Sequence, residues 1–121
     1  MAAESSIPSL TPLMAAVYEA VRNRRAIPLE QIRQLIEDRP ESVSITNEFN
    51  EEPLFWANSA DVARLLVQNG ARPALESLKI GISPIQIWIR KFIEKGDLSA
   101  LHVIQEMEQV LTADEIGRAH V

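Results

Sequence analysis

Three short strings recur along the chain, and each opens an amphipathic segment: Thr11-Pro12-Leu13-Met14-Ala15-Ala16, Glu52-Pro53-Leu54-Phe55-Trp56-Ala57 and Ser83-Pro84-Ile85-Gln86-Ile87-Trp88. Their prolines lie 41 and 31 residues apart. Self-similarity at a period of roughly 20–50 residues marks an architecture of stacked units, in which no unit buries its apolar face alone. That feature constrains the fold more than composition does.

The form of the string follows from helix chemistry. Proline fits the first helical turn, because its φ is already helical and its missing N–H would have no partner there. Thr11 and Ser83 are good N-caps. Glu52 is a poorer one, whose charge suits a helix N-terminus. Leu13, Leu54 and Ile85 begin the buried stripe, and small Ala16 and Ala57 allow a neighbour to approach closely. The second halves match as well. Asp61–Gln68 reads as a helix with apolar residues at 62, 65 and 66, stopped by Gly70 and kept stopped by Pro73. Leu29–Ile36 and Leu98–Ile104 carry the same pattern.

These strings resemble the ankyrin repeat family, with its Thr-Pro-Leu-His-x-Ala helix start and its second helix ending in Leu-Leu and Gly-Ala-Asp-Pro. Glu52 to Trp56 followed by Asp61 to Pro73 is the best copy. Gly81-Ile82-Ser83-Pro84 is similar to a repeat opening, and Ser42–Asn50 to the extended finger between repeats. The resemblance covers residues 10–107. It implies an all-α stack of helix-turn-helix repeats near 10–43, 44–74 and 75–110, joined by short extended finger turns. There are departures. The family His is Met14, Phe55 and Gln86 here. Repeat two has four residues between Ala57 and Val62, about three fewer than the family pattern, so its first helix is nearly a turn short. Trp88 stands where the family has Ala and is expected to fill the last inter-repeat layer.

At 121 residues the chain is long enough for one domain with a real core. The absence of cysteine removes disulfides, thiolate catalysis and Cys-based zinc sites. Met1–Ser6 carries neither a basic segment nor an apolar run, which predicts no secretory signal. No stretch reaches the roughly 18 apolar residues of a membrane span. The expected location is cytoplasmic, and the same features suit an effector delivered into a host cell. The net charge of −5 speaks against a nucleic-acid partner and slightly favours a basic one. Arg22, Arg24 and Arg25 form the one basic cluster. It reads either as a solvated helix end, where positive charge suits the dipole, or as a patch for phosphate or an acidic partner.

Helices are expected near 11–24, 28–38, 53–58, 60–69, 84–95 and 98–110, with a flexible leader at 1–9. A short terminal helix is expected at 112–119, where Thr112 and Glu115 have capping-box spacing. Residues 39–52 and 70–83 are expected to be extended fingers. Glu30, Arg33, Gln34 and Glu37 at one end, and Glu106, Glu108 and Gln109 at the other, would give the stack polar outer faces.

No catalytic residue, cofactor or metal ligand is expected. His102 lies mid-helix in a packing or surface role, and His120 is penultimate. The pairs Glu51-Glu52 and Asp114-Glu115 read as helix-start charges rather than an opposed acid/base pair. No phosphate loop or nucleophile elbow occurs. The candidate residues are instead those of a partner-binding surface: Phe49 and Asn47 on the first fingertip, Lys79 and Ile80 on the second, Trp56, and Arg22 and Arg25 as polar rim. Phe49 has no evident burial site in its polar surroundings. Trp56 either faces the partner, where tryptophan is a frequent hot spot, or rotates inward to fill the missing turn. The resemblance implies a non-enzymatic module, a monomer or weak homodimer, that holds a protein partner through its fingertips and first-helix face, as immunity proteins, regulators, effectors and adaptors do. The alternative is a fragment or capping domain of a longer repeat protein, for which an apolar face on the last helix pair would be the mark.

Overall fold

The computed structural model describes residues 11–111, so the expected leader, the terminal helix at 112–119 and His120 lie outside the described residues. Over 11–111 the chain is helical, with no strand. Five α-helices appear: α1 (Pro12–Asn23), α2 (Leu29–Asp38), α3 (Ala60–Gln68), α4 (Pro84–Lys95) and α5 (Leu98–Gln109). Two 3-10 turns, η1 (Pro40–Ser44) and η2 (Pro53–Trp56), fill the connection from α2 to α3.

The helix starts obey their capping residues. The Thr11 hydroxyl accepts from the Met14 N–H at 3.1 Å, and the Ser59 hydroxyl accepts from the Val62 N–H at 3.3 Å. At α4 the Ser83 N–H donates to the Gln86 side-chain oxygen at 2.8 Å, the reciprocal half of a capping box. Glu52 departs from the expected pattern: η2 has no side-chain cap, because this carboxylate points elsewhere. The helix at 53–58 is also corrected. With so few residues before α3, the segment closes only one 3-10 turn, ended by the Ala57 N–H bonding the Leu54 carbonyl at 3.2 Å.

α3 touches both α2 and α5. α1 packs on α2 and η2, and α4 pairs with α5. One core joins these elements: Leu13 and Val17 of α1, Ile32 and Ile36 of α2, Leu54, five residues of α3, Ile85 and Trp88 of α4, and Ala100, Val103, Ile104 and Met107 of α5. α3 is buried almost all round, as a helix flanked on both sides must be. Trp88 is buried in this core, with Lys91 Nζ 4.4 Å from its ring centroid.

At one end Glu30, Arg33, Gln34 and Glu37 are exposed, as expected of a polar outer face. Glu106 at the other end is a correction. Its carboxylate turns back onto α3, accepting from Arg64 at 2.6 and 2.7 Å and from Gln68 at 3.1 Å. It ties α5 to α3 rather than solvating an end.

Candidate functional site

The two inter-helix loops lie side by side and build a groove. The first is not a plain extended finger, and that expectation is corrected. Pro40 opens η1, and the Ser42 and Ser44 hydroxyls donate back to the Arg39 and Glu41 carbonyls at 2.6 and 3.2 Å. Serine side chains that bond nearby backbone offer the chain an alternative to an extended path. The tip that follows is an Asn-centred turn. Asn47 Oδ1 accepts from the backbone N–H groups of Phe49 and Glu51 at 2.9 and 3.0 Å, and Asn50 takes a left-handed φ of 66°. The second loop does the same around Ser77. Its hydroxyl accepts from the Lys79 N–H at 3.1 Å, and Gly81, at φ 72°, donates to the Ser77 carbonyl at 2.7 Å.

The tips are joined by backbone and by buried acid. The Leu78 N–H donates to the Phe49 carbonyl at 2.8 Å, and Asn50 Nδ2 reaches the Glu76 carbonyl at 3.4 Å. Glu51 and Glu52 are not helix-start charges: both are only 2% exposed. On this extended stretch consecutive side chains leave the backbone in opposite directions, so the two carboxylates serve different partners. Glu51 Oε1 accepts from Asn47 Nδ2 at 2.8 Å and from Trp56 Nε1 at 3.0 Å. Its Oε2 accepts from Ser77 Oγ at 2.5 Å. Three of its roughly four acceptor sites are therefore filled by neutral donors. Glu52 accepts from the Arg72 N–H at 2.8 Å and from Arg72 Nε at 2.5 Å, and the same guanidinium donates to the Ser44 carbonyl at 3.2 Å. Burial raises the Glu52 pKa above the ordinary 4.5, and the hydrogen bonds and charge of Arg72 oppose this. Desolvation wins because the carboxylate is sealed while the Arg72 side chain is 56% exposed and shares its charge with solvent.

Above Glu51 the groove has a volume of about 330 Å³ and is lined by Tyr18, Val21, Arg22, Phe49, Glu51, Trp56 and Lys79. The Tyr18 and Trp56 rings meet edge to face with centroids 5.2 Å apart, and Tyr18 Oη accepts from Asn47 Nδ2 at 2.6 Å. Trp56 combines both of its expected placements. It packs against the core, where its N–H is satisfied by Glu51, and its remaining face lines the groove. Phe49 is corrected as a free fingertip residue: it is partly buried, with Lys79 Nζ 5.2 Å from its ring centroid.

Of the residues singled out from sequence, Arg22, Phe49, Trp56 and Lys79 line this groove, and Asn47 braces it from behind. Ile80 is exposed at the second tip but does not line it. Arg25 belongs to a separate depression of about 360 Å³ beside the α1–α2 turn. Tyr18, Glu51 and Ser77 were missed. Tyr18 sits one position past Val17 on a helix whose stripe masks it, and Glu51 and Ser77, which bond each other, are 26 residues apart in the chain. His102 is exposed. Among the described residues no helix is long and apolar enough to cross a membrane. No family model, no curated protein and no solved structure matches the chain.

Proposed function

We propose that this chain is a non-enzymatic, ankyrin-like binding module that holds one protein partner in the groove between α1 and the two loop tips. The observation that carries this reading is convergence. Arg22, Phe49, Trp56 and Lys79 come from a helix, two loops and a 3-10 turn, yet they line one groove. Tyr, Trp and Arg are the residue types that dominate interface energetics. The contacts of α3 with both α2 and α5 support the repeat-stack part of the reading, and Leu54, Leu65 and Leu66 occupy buried positions the repeat pattern assigns to core.

The test is affinity capture with two baits from the cells that make the protein. Phe49→Ala combined with Arg22→Ser is the right variant, since neither side chain holds a hydrogen bond that shapes the loops. Trp56 is unsuitable because its N–H completes the Glu51 site. One stoichiometric protein captured by wild type and lost by a folded variant supports the module. A partner retained equally by both baits refutes the groove.

A second reading has its own observation. Ile93 and Leu98 are 74% and 68% exposed on either side of the α4–α5 turn, which suits an end that packs on further repeats or on a second copy. Ile93→Ser with Leu98→Ser tests it: a mass by light scattering that falls to one chain would favour this structural role.

A further inference from the structure

The groove carries its own charge code, and it is opposite to that of the chain. The whole protein is acidic at −5, yet the charged side chains on the groove are Arg22, Lys79 and Glu51. The acid is not available to a ligand as a free charge. It is buried, and three neutral donors already spread its charge. The two cations are exposed, and neither has a carboxylate partner among the described residues. Glu48, next to Phe49, is exposed and does not line the groove. Lys79 is also pre-positioned, its ammonium held near the Phe49 ring by a cation–π attraction.

We propose that the groove takes an acidic peptide segment of the partner, with one aromatic or aliphatic side chain seated on Tyr18, Phe49 and Trp56 and a neighbouring carboxylate held between Arg22 and Lys79. This rests on the binding-module reading above and sharpens it. A volume of about 330 Å³ is near the lower end of ligand pockets and matches a single anchor with its flanking group. The walls are apolar aromatic surface, which rewards an apolar anchor by removing it from water. Two unpaired cations at the rim reward an adjacent carboxylate and reject a lysine or arginine there. The acidic remainder of the chain argued for a basic partner only as long as charge was counted without position.

The experiment is selection of a displayed random heptapeptide library on the immobilised full chain, followed by fluorescence anisotropy with the enriched peptides. Expected are peptides that place Asp or Glu within two positions of Phe, Tyr, Trp, Leu or Ile and that lose binding to Phe49→Ala. Arg22→Glu or Lys79→Glu should weaken them about tenfold, on the scale of losing one partly desolvated charge pair. Peptides with the acid changed to Lys should regain binding to those charge-reversed chains. Both positions are exposed, and an unchanged thermal midpoint verifies that each variant folds. Phe49-dependent peptides rich in Lys or Arg would overturn the charge assignment and leave the groove as a binding site. The absence of any Phe49-dependent peptide would overturn the groove itself.

Discussion

The packed helices and the paired loops are held together by opposite means. Around α3 the contacts are apolar and sealed: Val62, Ala63, Leu65, Leu66 and Val67 all lie in the core. Between the loops the buried groups are polar: Glu51, Glu52, Ser77 and Ser42. Apolar packing is non-directional and depends on volume. A buried carboxylate is directional, and costs free energy unless each donor is in place. The helices therefore carry the apolar core, and the loops give the groove its shape. The site sits on the part of the fold that is least able to slide.

The largest break in this contrast is Leu66→Ala. Leu66 is fully buried in α3, the helix that contacts α2, α5 and η2, so its truncation is expected to cost about 2–5 kcal/mol, the range for a buried leucine that leaves a cavity. Urea unfolding monitored by far-ultraviolet circular dichroism measures it. A cost below about half a kcal/mol would mean that α3 is not packed against α2 and α5. The groove should keep its arrangement in the folded fraction.

Glu51→Gln attacks the other side of the comparison. The amide keeps an acceptor but replaces one carboxylate oxygen with a donor. That donor must face either Ser77 Oγ or the pair of Asn47 and Trp56 N–H groups. The expected cost is about 1–3 kcal/mol, the scale of a buried group left unsatisfied. Its location is the sharper readout. The Trp56 indole N–H resonance and the exchange protection of the Leu78 N–H, which bonds Phe49, should change, while the amides of α3 and α5 stay protected. Loss of protection throughout would mean that loops and helices unfold as one unit.

What could be read from sequence divides along the same line. Pro12, Pro53 and Pro84 marked their elements, and Gly70 marked the end of α3, because propensity, caps and apolar period are local properties. All five α-helices fall close to their expected ranges. Glu51 and Glu52 were opaque, because their partners Ser77 and Arg72 are 26 and 20 residues away and nothing in two adjacent acids distinguishes an exposed helix start from a buried clamp. Residues 39–52 were misjudged for a related reason. The serines that fold η1 bond their own backbone, and this competes with extension only once tertiary packing has chosen. Four residues that line the groove were nonetheless singled out from sequence, Phe49 as a large apolar group in polar surroundings, Trp56 as an aromatic on the first-helix face, Lys79 at a fingertip and Arg22 as a charge near a helix end.

Arg72→Met sharpens the contrast with a pH dependence. Burial raises the Glu52 pKa in the folded protein above 4.5, so the folded state holds this proton more tightly than the unfolded chain. Its contribution therefore favours folding at low pH and is lost as pH rises from 4.5 through the raised folded value. Arg72→Met removes the opposing side-chain hydrogen bond and charge while keeping the bond from the backbone N–H, and should raise the Glu52 pKa further, as carbon NMR of its carboxyl group would report. The variant should match wild type in stability at low pH and fall below it by about 1 kcal/mol near neutrality, a modest figure because the guanidinium is half exposed and screened. A Glu52 pKa that stays put or drops would mean that Arg72 does not hold the carboxylate in solution.

The smallest effects compare two helix ends that share a backbone conformation and differ in residue. α4 ends in Gly96 at φ 63°, and α1 ends in Arg24 at φ 54°. Both lie in the left-handed region, which costs an ordinary L-residue roughly 1–2 kcal/mol and glycine almost nothing. A Cβ built on Gly96 meets nothing within 4 Å, so Gly96→Ala isolates the backbone cost and should destabilise by about 1 kcal/mol. Arg24→Gly runs the same exchange backwards. The relief of strain is offset by the greater entropy of glycine in the unfolded chain, and a gain of about half a kcal/mol is expected. Thermal unfolding of the two variants side by side measures both. Opposite signs would show that each helix end is set by its own cap. If Arg24→Gly were instead destabilising, the Arg24 side chain would be contributing to the end of α1 beside the groove, and the α1 rim would owe part of its placement to it.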